Sequence, residues 1–209
     1  PLRGRLLEQH DPAVLKTEGL TYFGLTADKP IVLVVGGSLG TRTLNNMMKA
    51  NVDRITSEGK VQVIWQTGKF YEREMTEFMQ SRSSEGIWRG AFIDRMDLAY
   101  AVADVVVGRS GAGTVSELCL VGKPAIFVPS PNVAEDHQTK NAMALVRKDA
   151  ALLVPDSEAV TALFPVVDQL LADPARMQRM AANIKALGIA DSADRIVDEL
   201  LAVVQAQKK

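Results

Sequence analysis

Short β-branched apolar runs alternate along this chain with loops and amphipathic stretches, and this alternation constrains the fold more than any other feature. The runs cover residues 31–35, 61–65, 87–92, 104–107, 125–128 and 151–154. Helical patterns lie between them at residues 44–55, 71–79, 98–102, 114–120 and 138–146. Near-continuous apolar strands are expected where a sheet is buried on both faces, the condition of parallel strands covered by helices. After Pro155 the pattern is helical only. Ser157 is placed to cap a helix over 157–171, Pro174 to open a second that ends at Gly188. A last helix over 193–206 puts Ile196, Val197, Leu200, Leu201 and Val204 on one face. Residues 1–29 read as a connecting segment with one short helix after Asp11-Pro12. The expected architecture is α/β: a doubly wound parallel sheet, Rossmann-like, over residues 30–190, with a helical C-terminal tail over 191–209.

Composition narrows the partners. A formal net charge of −1 over 209 residues makes no case for nucleic acid. The lone Cys119 permits no internal disulfide and, with only His10 and His137 besides, no thiolate-rich zinc site. No apolar run approaches the roughly 20 residues that span a bilayer. No apolar stretch follows the charged start, so no signal peptide is expected, and an opening Pro1 suggests a segment trimmed from a longer product.

In a doubly wound sheet, ligands bind beyond the carboxyl ends of the strands. Three loops there carry candidate chemistry. Gly36-Gly37-Ser38-Leu39-Gly40 follows the first strand, and its glycines admit close approach by an anion at a helix N-terminus; a bare tight turn is the alternative. It lacks G-x-G-x-x-G spacing. Gly68-Lys69 and Gly122-Lys123 lack the hydroxyl of a P-loop. Gly108-Arg109-Ser110-Gly111-Ala112-Gly113-Thr114 precedes Glu117. Glu117 is read either as the partner of Thr114 in a capping box or as a carboxylate for a ribose diol, and spacing alone favours the cap. Arg109 is read either as a phosphate partner or as a solvated arginine.

The third loop, residues 129–138, is rich in proline and polar groups, and enters a helix that Asp136 is placed to cap. His137, Gln138 and Asn141 follow, and amides here suit sugar hydroxyls. No Asp-x-Asp pair and no nucleophile elbow are present. Cys119 between Leu118 and Leu120 reads as buried, and Trp65 and Trp88 as core.

In order, the chain shows Val34-Val35-Gly36-Gly37-Ser38-Leu39-Gly40-Thr41-Arg42, Trp65-Gln66-Thr67-Gly68-Lys69, Phe92-Ile93-Asp94-Arg95-Met96 and Ala103-Asp104-Val105-Val106-Val107. Then come Arg109-Ser110-Gly111-Ala112-Gly113-Thr114-Val115-Ser116-Glu117-Leu118, Gly122-Lys123-Pro124-Ala125-Ile126-Phe127-Val128-Pro129 and Asp136-His137-Gln138-Thr139-Lys140-Asn141-Ala142. This series resembles the C-terminal domain of the MurG-type N-acetylglucosaminyltransferases of peptidoglycan synthesis. The resemblance implies a GT-B fold, with residues 1–29 as interdomain linker and the last helix crossing to an N-terminal domain. It also implies a UDP-N-acetylglucosamine donor, a lipid I acceptor held by that other domain, inversion at the sugar, no metal and no cofactor. Location would be cytoplasmic, peripheral on the inner membrane face.

Carried over by position, Gly37, Ser38 and Gly40 would meet the diphosphate. The Ile93 backbone would pair with uracil in a pocket shaped by Phe92 and Met96. Ser110, Gly111, Ala112, Gly113 and Thr114 would approach the nucleotide and phosphates, and Glu117 the ribose. His137, Gln138 and Asn141 would lie toward the sugar, and Arg3 matches a linker arginine that contributes to the donor site. Thr41 departs from the family's usual alanine, and His137 from a glutamine in some members. The general base belongs to the other domain, so this chain is expected to bind donor without catalysing transfer. Alternatives are a UDP-N-acetylglucosamine 2-epimerase, a diacylglycerol glycosyltransferase domain, or a binding module without catalysis.

Overall fold

The computed structural model describes residues 11–188. Six parallel strands form one sheet: β1 Ile31–Val35, β2 Gln62–Gln66, β3 Ile87–Gly90, β4 Val105–Gly108, β5 Ala125–Phe127 and β6 Ala151–Leu153. Their order across the sheet is β3-β2-β1-β4-β5-β6. The order reverses between β1 and β4, so the loops leaving these two adjacent strands flank the crevice where such folds bind ligands. Val32, Leu33, Val34, Val63, Ile64 and Trp65 are completely buried, as strands covered on both faces must be.

The helices are α1 Pro12–Phe23, α2 Arg42–Glu58, α3 Glu72–Met79, α4 Met96–Val102, α5 Ala112–Val121, α6 His137–Val146, α7 Ala159–Leu171 and α8 Pro174–Lys185. One apolar core lies between the sheet and α2, α3 and α7, with Met48, Trp65, Met75 and Phe164 at its centre. The other lies between the sheet and α1, α4, α5 and α6, around Ile64, Leu98, Val106 and Phe127.

The short helix expected after Asp11-Pro12 is α1, and it belongs to this second core. Asp11 caps it by accepting from the Ala13 N–H at 2.8 Å, proline sits in its first turn, and left-handed Gly24 ends it. Gly19 lets α1 lie directly on α4: a Cβ there would fall 2.6 Å from Val102 Cγ1. Phe23 packs edge-on against Trp88 with ring centroids 5.1 Å apart.

Two helix caps expected from the sequence, at α7 and α6, are not made. Ser157 does not cap α7, because residues Asp156–Glu158 form a 3-10 turn and the helix opens at Ala159 with no side-chain cap. The third loop enters α6 without an Asp136 cap, for a backbone reason given below. Strand ends shift by one residue in β2, β4, β5 and β6, and by two in β3, which stops at Gly90 rather than at Phe92, where the chain leaves the sheet toward α4. The helix expected over 193–206 lies outside the described residues.

Candidate functional site

The first loop turns through Gly36–Gly40 at the end of β1. Gly37 and Gly40 have φ of 80° and 88°, left-handed values that glycine accepts without strain. A Cβ on Gly40 would fall 2.2 Å from the Thr67 carbonyl oxygen, so the β2–α3 loop also demands this glycine. Gly37 faces nothing within 4 Å, and Ser38 is exposed. Thr41 Oγ1 donates to the Gly36 carbonyl at 2.9 Å, which gives this departure from the usual alanine a loop-closing role. Behind the loop, Trp65 Nε1 donates to Asn45 Oδ1 and Asn45 Nδ2 to the Thr67 carbonyl, each at 2.9 Å. This buried chain of bonds ties α2 to the end of β2. Nearby, Gln66 Oε1 is buried without a hydrogen-bond partner among the described residues.

The second loop leaves β4 at Gly108, next to the first. Here the capping-box reading of Thr114 and Glu117 fails. α5 begins at Ala112 behind Gly111, so Thr114 already lies in the first turn, and no side chain caps the helix. Glu117 Oε2 instead accepts a hydrogen bond at 3.0 Å from the hydroxyl of Tyr100 on α4. Arg109 is not a solvated arginine: its side chain is 17% exposed. Its Nη1 donates to the Val128 and Pro129 carbonyls, at 2.8 and 3.1 Å, and pairs with Asp156, making it a strut between β4, the end of β5 and the turn before α7. Ser110 is fully buried, while Ala112 and Gly113 are exposed.

Residues 91–95 lead into α4 beside these loops. Ile93 and Met96 bury their side chains at 1% and 4% exposure, so Ile93 has only its backbone to offer a ligand and Met96 belongs to the core. Phe92 is 37% exposed. Arg95 anchors α4 by binding the Asp97 carboxylate and, across to α1, Glu18 at 2.8 Å. Burial works to raise the Asp97 pKa, but the Arg95 hydrogen bonds and charge, with the Leu98 and Asp97 N–H groups, hold it below the usual carboxylate range. At the far end of α4, Lys123 Nζ donates to the Ala101 and Ala103 carbonyls. Burial lowers its pKa against the pull of Asp104. Lys123 is thereby a C-terminal helix clamp.

The third loop joins the second through polar groups gathered around the buried Ser110. Ser110 Oγ donates to the Gln138 carbonyl at 2.8 Å, and Asn141 Nδ2 donates to the Ser110 carbonyl at 3.0 Å. Gln138 Oε1 accepts from the Ser130 N–H at 2.9 Å, so its Nε2 donors are what the side chain has for a ligand. Asp136 does not cap α6: it and Glu135 are left-handed, with φ of 51° and 53°, and no side-chain cap is made. His137 is exposed, with Nδ1 on the Ala134 carbonyl at 2.9 Å.

Ser110, Gln138 and Asn141 are thus linked directly, and the glycine loop and residues 92–96 share their sheet edge. Arg3 lies outside the described residues. Sequence reasoning misses Tyr100, Gln66 and the Arg109 strut; a lone phenol in the apolar stretch Leu98–Val102 is the signal for Tyr100. Cys119 is buried, and burial raises its thiol pKa. Among the described residues no cluster of three or more His, Cys, Asp or Glu is placed to hold a metal. None of their helices is long and apolar enough to cross a membrane.

Strand order and loop placement define the class: a doubly wound Rossmann-like domain with uncapped N-termini of α2 and α5 on the ligand-binding edge. The sequence profile of the glycosyltransferase family 28 C-terminal domain matches residues 31–196, and the chain belongs to that family. The chain is 47% identical over 189 residues to the UDP-N-acetylglucosamine--N-acetylmuramyl-(pentapeptide) pyrophosphoryl-undecaprenol N-acetylglucosamine transferase of Parabacteroides distasonis, a match covering 90% of this chain and 51% of that protein. The crystal structure of Acinetobacter baumannii MurG superimposes with a TM-score of 0.72 at 26% identity, over 94% of this chain and 55% of that one. This likeness makes the fold the GT-B type. A UDP-GlcNAc 2-epimerase from Neisseria meningitidis bound to UDP-GlcNAc gives 0.64 at 14% identity, over 90% of this chain and 49% of its own, and shares the fold alone. The chain spans about half the length of the curated relatives it matches.

Proposed function

We propose that this chain is the donor-binding half of an inverting, metal-independent transferase that moves N-acetylglucosamine from UDP-N-acetylglucosamine to lipid I, giving lipid II. The observation that carries this reading is the linkage of the second and third loops beside the glycine loop on one sheet edge. Ser110, Gln138 and Asn141 bond across it, and Glu117 stands in the second turn of α5. The transferase relatives supply the substrate names.

As the bond from the sugar C1 to the diphosphate oxygen breaks, negative charge accumulates on the leaving UDP. The first turns of α2 and α5 carry no side-chain cap, so their N–H groups are available to that charge. Gly37 and Gly113 have no heavy atom within 4 Å of where a Cβ would stand, which leaves room for the phosphates against the backbone. Donors fixed before reaction stabilise developing charge without rearrangement. Around them, the Ile93 backbone faces the base, Glu117 the ribose diol, and Gln138 with Asn141 and His137 the sugar. The acceptor, the general base and attachment to the inner membrane face belong to the companion N-terminal domain.

The test is transfer of labelled N-acetylglucosamine to a lipid I analogue. This chain alone should transfer none, and the same chain joined to a relative's N-terminal domain should transfer. Release of N-acetylmannosamine from UDP-N-acetylglucosamine would instead establish the epimerase reading.

A further inference from the structure

We propose that Tyr100 is a positioning residue for nucleotide recognition, fixing the Glu117 carboxylate so that it selects a ribose over a sugar lacking both hydroxyls. This rests on the reading that Glu117 binds the ribose diol. A glutamate side chain has three rotatable bonds, and Glu117 is only half-buried in the second turn of α5. A carboxylate must present its oxygens at a defined angle to accept from two vicinal hydroxyls, so orientation decides its worth to a diol.

Tyr100 supplies that orientation from a rigid support. Its side chain is 2% exposed, and Leu98, Ala99 and Val102 around it are buried at 1% or less. The helix that carries it is held at both ends, by Arg95 on Asp97 and Glu18 and by Lys123 on the Ala101 and Ala103 carbonyls. The phenol hydroxyl donates to Glu117 Oε2 at 3.0 Å. A carboxylate has about four lone-pair sites over its two oxygens, so the Tyr100 bond and bonds from ligand hydroxyls are compatible on one carboxylate. A carboxylate already ordered does not charge its ordering to ligand binding, which is the general gain from preorganisation.

The test is calorimetric titration of the intact chain and of Tyr100→Phe with uridine diphosphate and with 2′,3′-dideoxyuridine diphosphate. Phenylalanine keeps the buried ring and removes the hydroxyl. The variant should lose about five- to tenfold in affinity for uridine diphosphate, the scale of freeing one side chain, and less than about twofold for the dideoxy analogue. Partial unfolding would weaken both ligands by the same factor, so the ratio of the two affinities reads positioning alone. Equal losses on both ligands, or no loss on either, overturns the proposal. If the unaltered chain binds both ligands equally, the ribose role of Glu117 fails first and Tyr100 has nothing to position. If Glu117→Ala removes discrimination and Tyr100→Phe does not, only the positioning role is lost.

Discussion

The buried hydroxyl of Ser110 donates to the main-chain carbonyl of Gln138 at 2.8 Å and thereby joins the strand-to-helix loops of β4 and β5. Replacing Ser110 with alanine removes this bond and leaves the Gln138 carbonyl only its place within α6. We expect a stability loss of about 0.5–1.5 kcal/mol, the net worth of one hydrogen bond. Donor affinity should fall as well, since Gln138 and Asn141 lose their register with the α5 N-terminus. Urea unfolding and UDP titration of Ser110→Ala check both. Unchanged affinity with lowered stability would separate this bond from the site.

Gly113 sets stability against ligand approach. It lies in the first turn of α5 with nothing within 4 Å of where a Cβ would stand, so alanine fits the free protein. Gly113→Ala should raise stability by up to about 1 kcal/mol through helix propensity. It should also weaken UDP binding at least about tenfold if a phosphate approaches the backbone there, a difference of roughly 1.4 kcal/mol. A more stable variant with intact affinity would exclude that contact.

Arg109 gives the converse case. A single nitrogen, Nη1, meets two carbonyls and Asp156 on a side chain 17% exposed, so removing the side chain takes the partner from all three at once. Arg109→Ala should cost about 1–3 kcal/mol with little change in the UDP affinity of the folded protein. Thermal unfolding paired with titration decides this. Full stability with a large affinity loss would restore a phosphate-binding role.

Acid should loosen the α4 anchor. The folded-state pKa values of Asp97 and Glu72 are depressed. In both, opposing burial is outweighed, by Arg95 for Asp97 and by Thr67 and Arg89 for Glu72. A depressed carboxylate contributes stability that is present above its unfolded pKa of about 4 and is lost as pH falls through the folded value. Stability should therefore fall on acidification below about pH 4. Asp97→Asn should be less stable at neutral pH and show a shallower acid slope in urea midpoints; an unchanged slope would refute the assignment.

The sheet is legible in the sequence because strands buried on both faces read as unbroken apolar runs; Ile31–Val35 appears just as its pattern predicts. The loops are legible because glycine clusters mark the turns out of β1 and β4. Side-chain roles are less so, since they depend on partners remote in sequence. Arg109 meets Asp156 across 47 positions, and Glu117 turns to Tyr100 on another helix. Local spacing proposes Thr114 as a cap, but α5 starts earlier, at Ala112, because Gly111 takes the capping position through its backbone. Asp136 likewise has the right residue type for a cap and the wrong backbone, left-handed rather than extended.

Calorimetric titration of UDP-N-acetylglucosamine into this chain and its Glu117→Ala variant tests the donor-binding role most directly. We expect saturable binding at a single site on each chain, weakened at least about tenfold by Glu117→Ala when both are titrated well below the variant's melting temperature, so that loss of the Tyr100 bond to Glu117 does not enter the ratio. A folded chain that takes up no UDP-N-acetylglucosamine, or a Glu117→Ala variant that binds it as tightly as the parent, would contradict that role.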